Sequence, residues 1–82
     1  MTKLEPTQLP NKEAWGYRLL LVKKDHKIRI IKDIVPVSEE MGIPISHPTV
    51  GSVFKGEATY EHMKLVEDVI YEIIRRKNGG NL

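Results

Sequence analysis

Residues 34–56 carry a series of chain-stopping residues whose spacing leaves little choice of fold. They read Ile34-Val35-Pro36-Val37-Ser38-Glu39-Glu40-Met41-Gly42-Ile43-Pro44-Ile45-Ser46-His47-Pro48-Thr49-Val50-Gly51-Ser52-Val53-Phe54-Lys55-Gly56. Proline is tolerated in the first turn of a helix, where its missing N–H is not needed, and poorly in the middle. Pro36 therefore predicts a break near Val35 and a short helix from about Pro36 to Met41. Gly42 supplies a left-handed C-terminal cap and the turn after it. Ser46 is a good N-cap for the next helix, with Pro48 in its first turn. Val50, Val53 and Phe54 give that helix one apolar face, and Gly56 ends it.

The flanking segments read as helices too. Residues 1–10 contain two prolines and no periodicity, which predicts a loose arm. Asn11 can cap a helix starting at Lys12, whose core stripe is Trp15, Leu19 and Val22; Gly16 weakens it by ~1 kcal/mol relative to Ala. Between 17 and 35 the pattern supports two folds. Tyr17–Val22 and Ile28–Val35 can pair as a β-hairpin, because the second run is β-branched and partly alternating. The polar break between them lacks the Asn-Gly or Asp-Gly of a tight hairpin. Ile28, Ile31 and Val35, and likewise Ile30 and Ile34, also fit helical spacing, and helices are preferred. Thr59 caps a last helix, Tyr60–Lys77, with Val66, Val69, Ile70, Ile73 and Ile74 on one face. Its acidic residues lie toward the start and middle and Arg75, Arg76 and Lys77 at the end, as the helix dipole favours. The expected fold is mainly α: a small domain of four to five short helices over 11–78, with a frayed tail at 79–82. The alternative is a hairpin at about 17–35 followed by three helices.

Composition narrows the function more than the fold. The 82 residues make one small domain, with no cysteine for a disulfide, a thiolate nucleophile or a Cys-based zinc site. The longest apolar run, Leu19–Val22, is far too short to span a bilayer, and no signal peptide is evident, so a cytoplasmic protein is expected. Net charge is +2, but it is unevenly spread. Residues 1–36 hold eight Lys and Arg against four Asp and Glu, and residues 37–72 hold two against seven. Lys23, Lys24, Lys27, Arg29 and Lys32 bunch together, the usual footprint of a phosphate-contacting surface or of a plain solvated face.

The stretch Ser46–Gly56 resembles the recognition-helix segment of helix-turn-helix regulators, both the lactose-repressor family and the lambda-repressor-like domains. Those families carry an Ile-x-x-Val-Ala-x-x-x-Gly segment before it, and Ile34–Gly42 is similar, with Ser38 at the small-residue position where the helices cross. The resemblance covers residues 34–77. It departs at Ile43-Pro44-Ile45, a link two residues longer than usual, and at Pro36, where an ordinary helix former is normal. What the resemblance implies is a sequence-specific double-stranded DNA-binding transcriptional regulator, a repressor or activator of bacterial or phage type. The major groove of DNA, ~12 Å wide, admits a helix, and short side chains let its backbone approach the bases. Ser46, His47, Thr49 and Ser52 would then face base edges. Lys27, Arg29, Lys32 and Lys55 would contact phosphate. No Arg, Asn or Gln stands on this helix, so shape would carry part of the specificity.

The blander readings remain alongside. Ser46 and Thr49 are also what a capped helix needs. Small helical proteins of the phage-inhibitor or antitoxin kind use such a scaffold for protein–protein contacts instead. His26, His47 and His62 have no metal-binding spacing, so no metal is expected, and no cofactor or small-molecule ligand. Glu39-Glu40 reads as a solvated pair, and no catalytic motif is present, so no enzyme is expected. One recognition helix reads few base pairs, which predicts a weak homodimer. Its interface is expected on the segment holding Trp15, Tyr17 and Leu19–Val22, with Val66, Ile70 and Ile74 as the other candidate, and DNA should stabilise it.

Overall fold

The computed structural model describes residues 11–79. The arm expected at 1–10 and the end of the tail, 80–82, lie outside them. The described chain is all helical: α1 (Lys12–Asp25), a π-helical turn (Ile30–Ile34) running into α2 (Val35–Glu40), α3 (His47–Lys55) and α4 (Tyr60–Asn78). No strand occurs among the described residues, so the hairpin alternative is not supported.

Each α-helix start with a polar cap follows the sequence. The Ala14 N–H donates to Asn11 Oδ1 at 3.1 Å, and the His62 N–H donates to Thr59 Oγ1 at 3.1 Å. The Thr49 N–H donates to Ser46 Oγ at 3.4 Å. The helix ends share one device. In α2, Gly42 stands at φ 79° and the Ile43 N–H donates to the Ser38 carbonyl at 3.0 Å. In α3, Gly56 stands at φ 75° and the Glu57 N–H donates to the Ser52 carbonyl at 2.9 Å. These are glycine-closed Schellman ends. α1 closes the same way, the Ile28 N–H donating to the Lys23 carbonyl at 2.9 Å, but the left-handed residue is Lys27 at φ 57°. A side chain there costs roughly 1–2 kcal/mol over glycine.

Two expectations about 28–41 are corrected. The chain does not break near Val35; α2 continues upstream into the π turn, and the break falls at 26–29. Pro36 has no N–H to offer the Lys32 carbonyl, and its ring crowds that turn, so the helix widens before the proline instead of ending. The Val35 N–H reaches the Ile30 carbonyl, and the Asp33 carboxylate takes the Arg29 N–H at 2.7 Å, closing the start of the turn. The apolar positions divide accordingly. Ile28 is buried outside any helix, Ile34 is buried and Ile30 is half-buried, whereas Ile31 is 63% exposed.

One core joins the helices. Trp15 and Leu19 of α1 meet Val50 and Val53 of α3 and Met63, Val66, Val69, Ile70 and Ile73 of α4, with Ile28, Ile34, Ile45 and Ala58 filling between. α3 packs against α1, α4 and the π turn, and α2 against α4. Gly16 permits the first of these contacts. A Cβ at Gly16 would collide with the Val53 carbonyl oxygen and lie 3.0 Å from that of Phe54. The glycine that weakens α1 as a helix lets α3 approach it.

Candidate nucleic-acid interface

α3 is nine residues long and is held from one side. Val50 and Val53 are fully buried, and Phe54 packs against the core from a half-buried position. At about 100° per residue, Pro48, Gly51, Ser52 and Lys55 fall on the opposite side. Pro48 and Lys55 are exposed and Gly51 and Ser52 half-exposed. Gly51 is unlike Gly16. A Cβ at Gly51 would meet nothing within 4 Å, and its φ is not positive, so neither packing nor backbone geometry calls for glycine there. In a helix interior it costs ~1 kcal/mol relative to Ala.

The residues expected to face base edges divide into two kinds. Ser46 Oγ and Thr49 Oγ1 are 2.9 Å apart and hydrogen-bonded, while Ser46 also accepts the Thr49 N–H. Their first commitment is the helix cap. His47 is exposed beside the cap, and Ser52 lies on the outer face a turn further on, each without a side-chain hydrogen bond among the described residues. Both present hydroxyl or imidazole groups that donate and accept.

The turn into α3 is fixed by a residue whose small size alone was legible in the sequence. Ser38 is fully buried; its hydroxyl donates to the Val35 carbonyl at 2.7 Å and accepts the Ile45 N–H at 3.1 Å. The longer link Ile43-Pro44-Ile45 is thereby tied back to α2, and Ile45 is buried in the core. A small residue where two helices would cross is the signal that was available. The partner that gives it meaning is a backbone N–H, which the sequence does not mark.

The cations expected on phosphate are exposed. Arg29 precedes the π turn and Lys32 lies within it, the segment against which α3 packs. Lys27 stands at the end of α1 and Lys55 in the last turn of α3. Lys27, Lys32 and Lys55 enter no ion pair among the described residues, and Arg29 has only a 3.9 Å approach to Asp33. Lys23 extends its ammonium to within 6.0 Å of the Phe54 ring, bringing the end of α1 against α3.

The other basic cluster is committed. Arg75 donates twice to Glu72, at 3.0 and 2.6 Å, and Arg76 donates to Glu72 at 2.9 Å and to Glu40 of α2 at 2.7 Å. Lys77 donates to the His26 carbonyl at 2.7 Å. These contacts tie the end of α4 to α2 and to the end of α1. The hydrogen bonds from Arg75 and then Arg76 hold the Glu72 carboxyl down at about 2, from 4.5.

Among the described residues no group of three His, Asp or Glu side chains could hold a metal ion, and no helix is long and apolar enough to cross a membrane. Comparisons with family models, with curated proteins and with solved structures found no match for this chain.

Proposed function

We propose that this chain binds double-stranded DNA and acts as a sequence-specific transcriptional regulator of bacterial or phage type, with α3 in the major groove. The observation that carries the reading is the outer face of α3. A rigidly capped helix presents Pro48, Gly51, Ser52 and Lys55 outward, and its central glycine answers to nothing inside the molecule. A helix whose backbone must come close to base edges needs that bareness. Ser52 and His47 supply the hydrogen-bonding groups that are not spent on the cap, and Ser46 and Thr49 close the cap at the end that would enter the groove. The cations Lys27, Arg29, Lys32 and Lys55 supply the sequence-independent part of the affinity.

The test is an electrophoretic shift at low salt with a pool of random duplexes, followed by sequencing of the bound fraction. The expected result is an enriched motif. Binding should weaken with salt at a log–log slope of about −3 to −4, as four neutralised phosphates require. Absence of any enrichment at high protein concentration defeats the sequence-specific reading. Salt-insensitive capture of one protein partner, with no DNA shift, would place the chain among protein-interaction modules instead.

A further inference from the structure

The helix that brings Trp15 and Leu19 into the core also carries a second, unused seam. On α1, Ala14, Tyr17, Leu21 and Lys24 recur at intervals of three, four and three residues, on the side away from Trp15 and Leu19. All four are exposed, Tyr17 at 60% and Leu21 at 47%. Spacing of this kind is the a/d pattern by which one helix packs along another. Glu13 and Lys24 border the same edge of the seam, one at each end of the helix, and neither enters an ion pair among the described residues. A shallow depression lined by Leu21, Val22, Lys24 and Asp25 opens at the C-terminal end of the seam.

We infer that this face is the contact between two copies of the chain, with the two α1 helices packed antiparallel about a two-fold axis. The arrangement of charge and of apolar residues selects that occupant. A two-fold axis across an antiparallel helix pair requires the contacts on either side to share one midpoint. Tyr17 and Leu21 are centred on Leu19, and Glu13 and Lys24 are centred between Arg18 and Leu19. The two midpoints coincide to within half a residue. Antiparallel packing therefore sets Tyr17 of each copy against Leu21 of the other, and Lys24 of each beside Glu13 of the other. The small Ala14 gives the aliphatic stem of Lys24 a place to lie while its ammonium reaches that carboxylate. In a parallel pair Glu13 would face Glu13 and Lys24 would face Lys24. The alternative face, Val66, Ile70 and Ile74 on α4, is consumed by the chain's own core: Val66 and Ile70 are fully buried and Ile74 packs against them. Trp15 and Leu19 are likewise buried in the core, so the face on α1 is narrower than its apolar sequence. A single pair of 14-residue helices, each ~21 Å long, falls short of the standard interface of about 1,600 Å², so the dimer is weak and concentration-dependent.

Sedimentation equilibrium without DNA tests this independently of any DNA-binding role. The apparent mass of the wild type should rise above the 9.4 kDa monomer as concentration increases into the high micromolar range. Tyr17→Ser should abolish the rise at all salt concentrations while leaving the melting temperature unchanged. Glu13→Lys and Lys24→Glu should each weaken self-association by about tenfold at low salt, because each dimer loses two ion pairs and gains like-charge contacts. Mixing these two variants should restore association, since each supplies the charge the other lacks, and so should the double exchange in one chain. A strict monomer at about 1 mM overturns the inference, because interfaces this small still register at such concentrations. So does a mixture that associates no better than either variant alone. A wild-type monomer whose melting temperature falls with Tyr17→Ser would mean that the chain covers this face itself, and also overturns it.

Discussion

The two sides of α3 answer to different demands. Its inner side is determined by the fold: Val50 and Val53 are fully buried, and Gly16 of α1 admits the Val53 and Phe54 carbonyls where any side chain would collide. On the outer side Gly51 stands in open space with a cost in helix stability and no internal return. The same contrast separates the basic clusters. Arg75, Arg76 and Lys77 are tied to Glu72, Glu40 and the His26 carbonyl, whereas Lys27 and Lys32 are exposed with no ion pair among the described residues. Features that the fold uses explain themselves by their contacts. Those it leaves unused, at a cost, are where an external partner is to be sought.

The largest effect should come from breaking the inner side. Gly16→Val pushes a branched side chain into the Val53 carbonyl, and backbone cannot step aside as a flexible side chain can. A loss of roughly 3 kcal/mol is expected, a fall in Tm on the order of 15 °C in a thermal melt followed by circular dichroism. A neutral result would mean that α1 and α3 do not cross where the structure places them.

Gly51→Ala sharpens the contrast, because its two effects run in opposite directions. Stability should rise by up to ~1 kcal/mol through helix propensity alone. Affinity for the selected duplex should fall by about tenfold, the result of forcing a methyl group into a close contact. A gain in stability with unchanged affinity would leave the outer face of α3 without a close partner.

Lys27→Gly makes the corresponding test on the basic loop. Glycine relieves the positive φ of 57°, so stability should rise by about 1 kcal/mol, while the salt slope of DNA binding should shrink by ~1 as one phosphate contact is lost. Arg75→Ala is the control. Its guanidinium serves Glu72, so the slope should not change.

The pattern of what the sequence disclosed has a physical basis. Asn11, Ser46, Thr59, Gly42 and Gly56 were legible because a cap or a left-handed turn is satisfied within a few residues, and local chemistry is enough to recognise it. The face of α4 was legible from its period. Gly16 read as a weak point in a helix because its purpose lies in the backbone of a helix 37 residues away, at Val53. The end of α1 was ambiguous between helix and hairpin because Lys27 occupies a position where glycine or asparagine would have announced the turn. Pro36 reads as a start signal, and the widened turn that absorbs it has no residue signature of its own. In the candidate site, the cap roles of Ser46 and Thr49 were visible in advance. What was not visible is that Gly51 faces open space, which depends on knowing which side of α3 is held.

The smallest effect belongs to the committed cluster. Glu72 has a folded-state value near 2 against 4.5 for the free side chain. A depressed carboxyl contributes stability above its unfolded value, and that stability is lost as pH falls from 4.5 toward 2. The pairs sit at the surface, where solvent screens them, so the effect is modest: Glu72→Gln should lower the melting temperature slightly above pH 5, leave it unchanged near pH 2, and so flatten that part of the acid dependence. A wild-type acid profile in the variant would show that the Glu72 pairs do not hold in solution.

Titrating uniformly ¹⁵N-labelled protein with the selected duplex and following the backbone amide shifts tests whether α3 is the helix that meets the groove. The largest changes are expected at His47, Gly51, Ser52 and Lys55 on α3, with smaller ones at Lys27, Arg29 and Lys32. Changes confined to Tyr17 and Leu21 on α1, or to α4, with α3 unmoved at saturation, would contradict that placement.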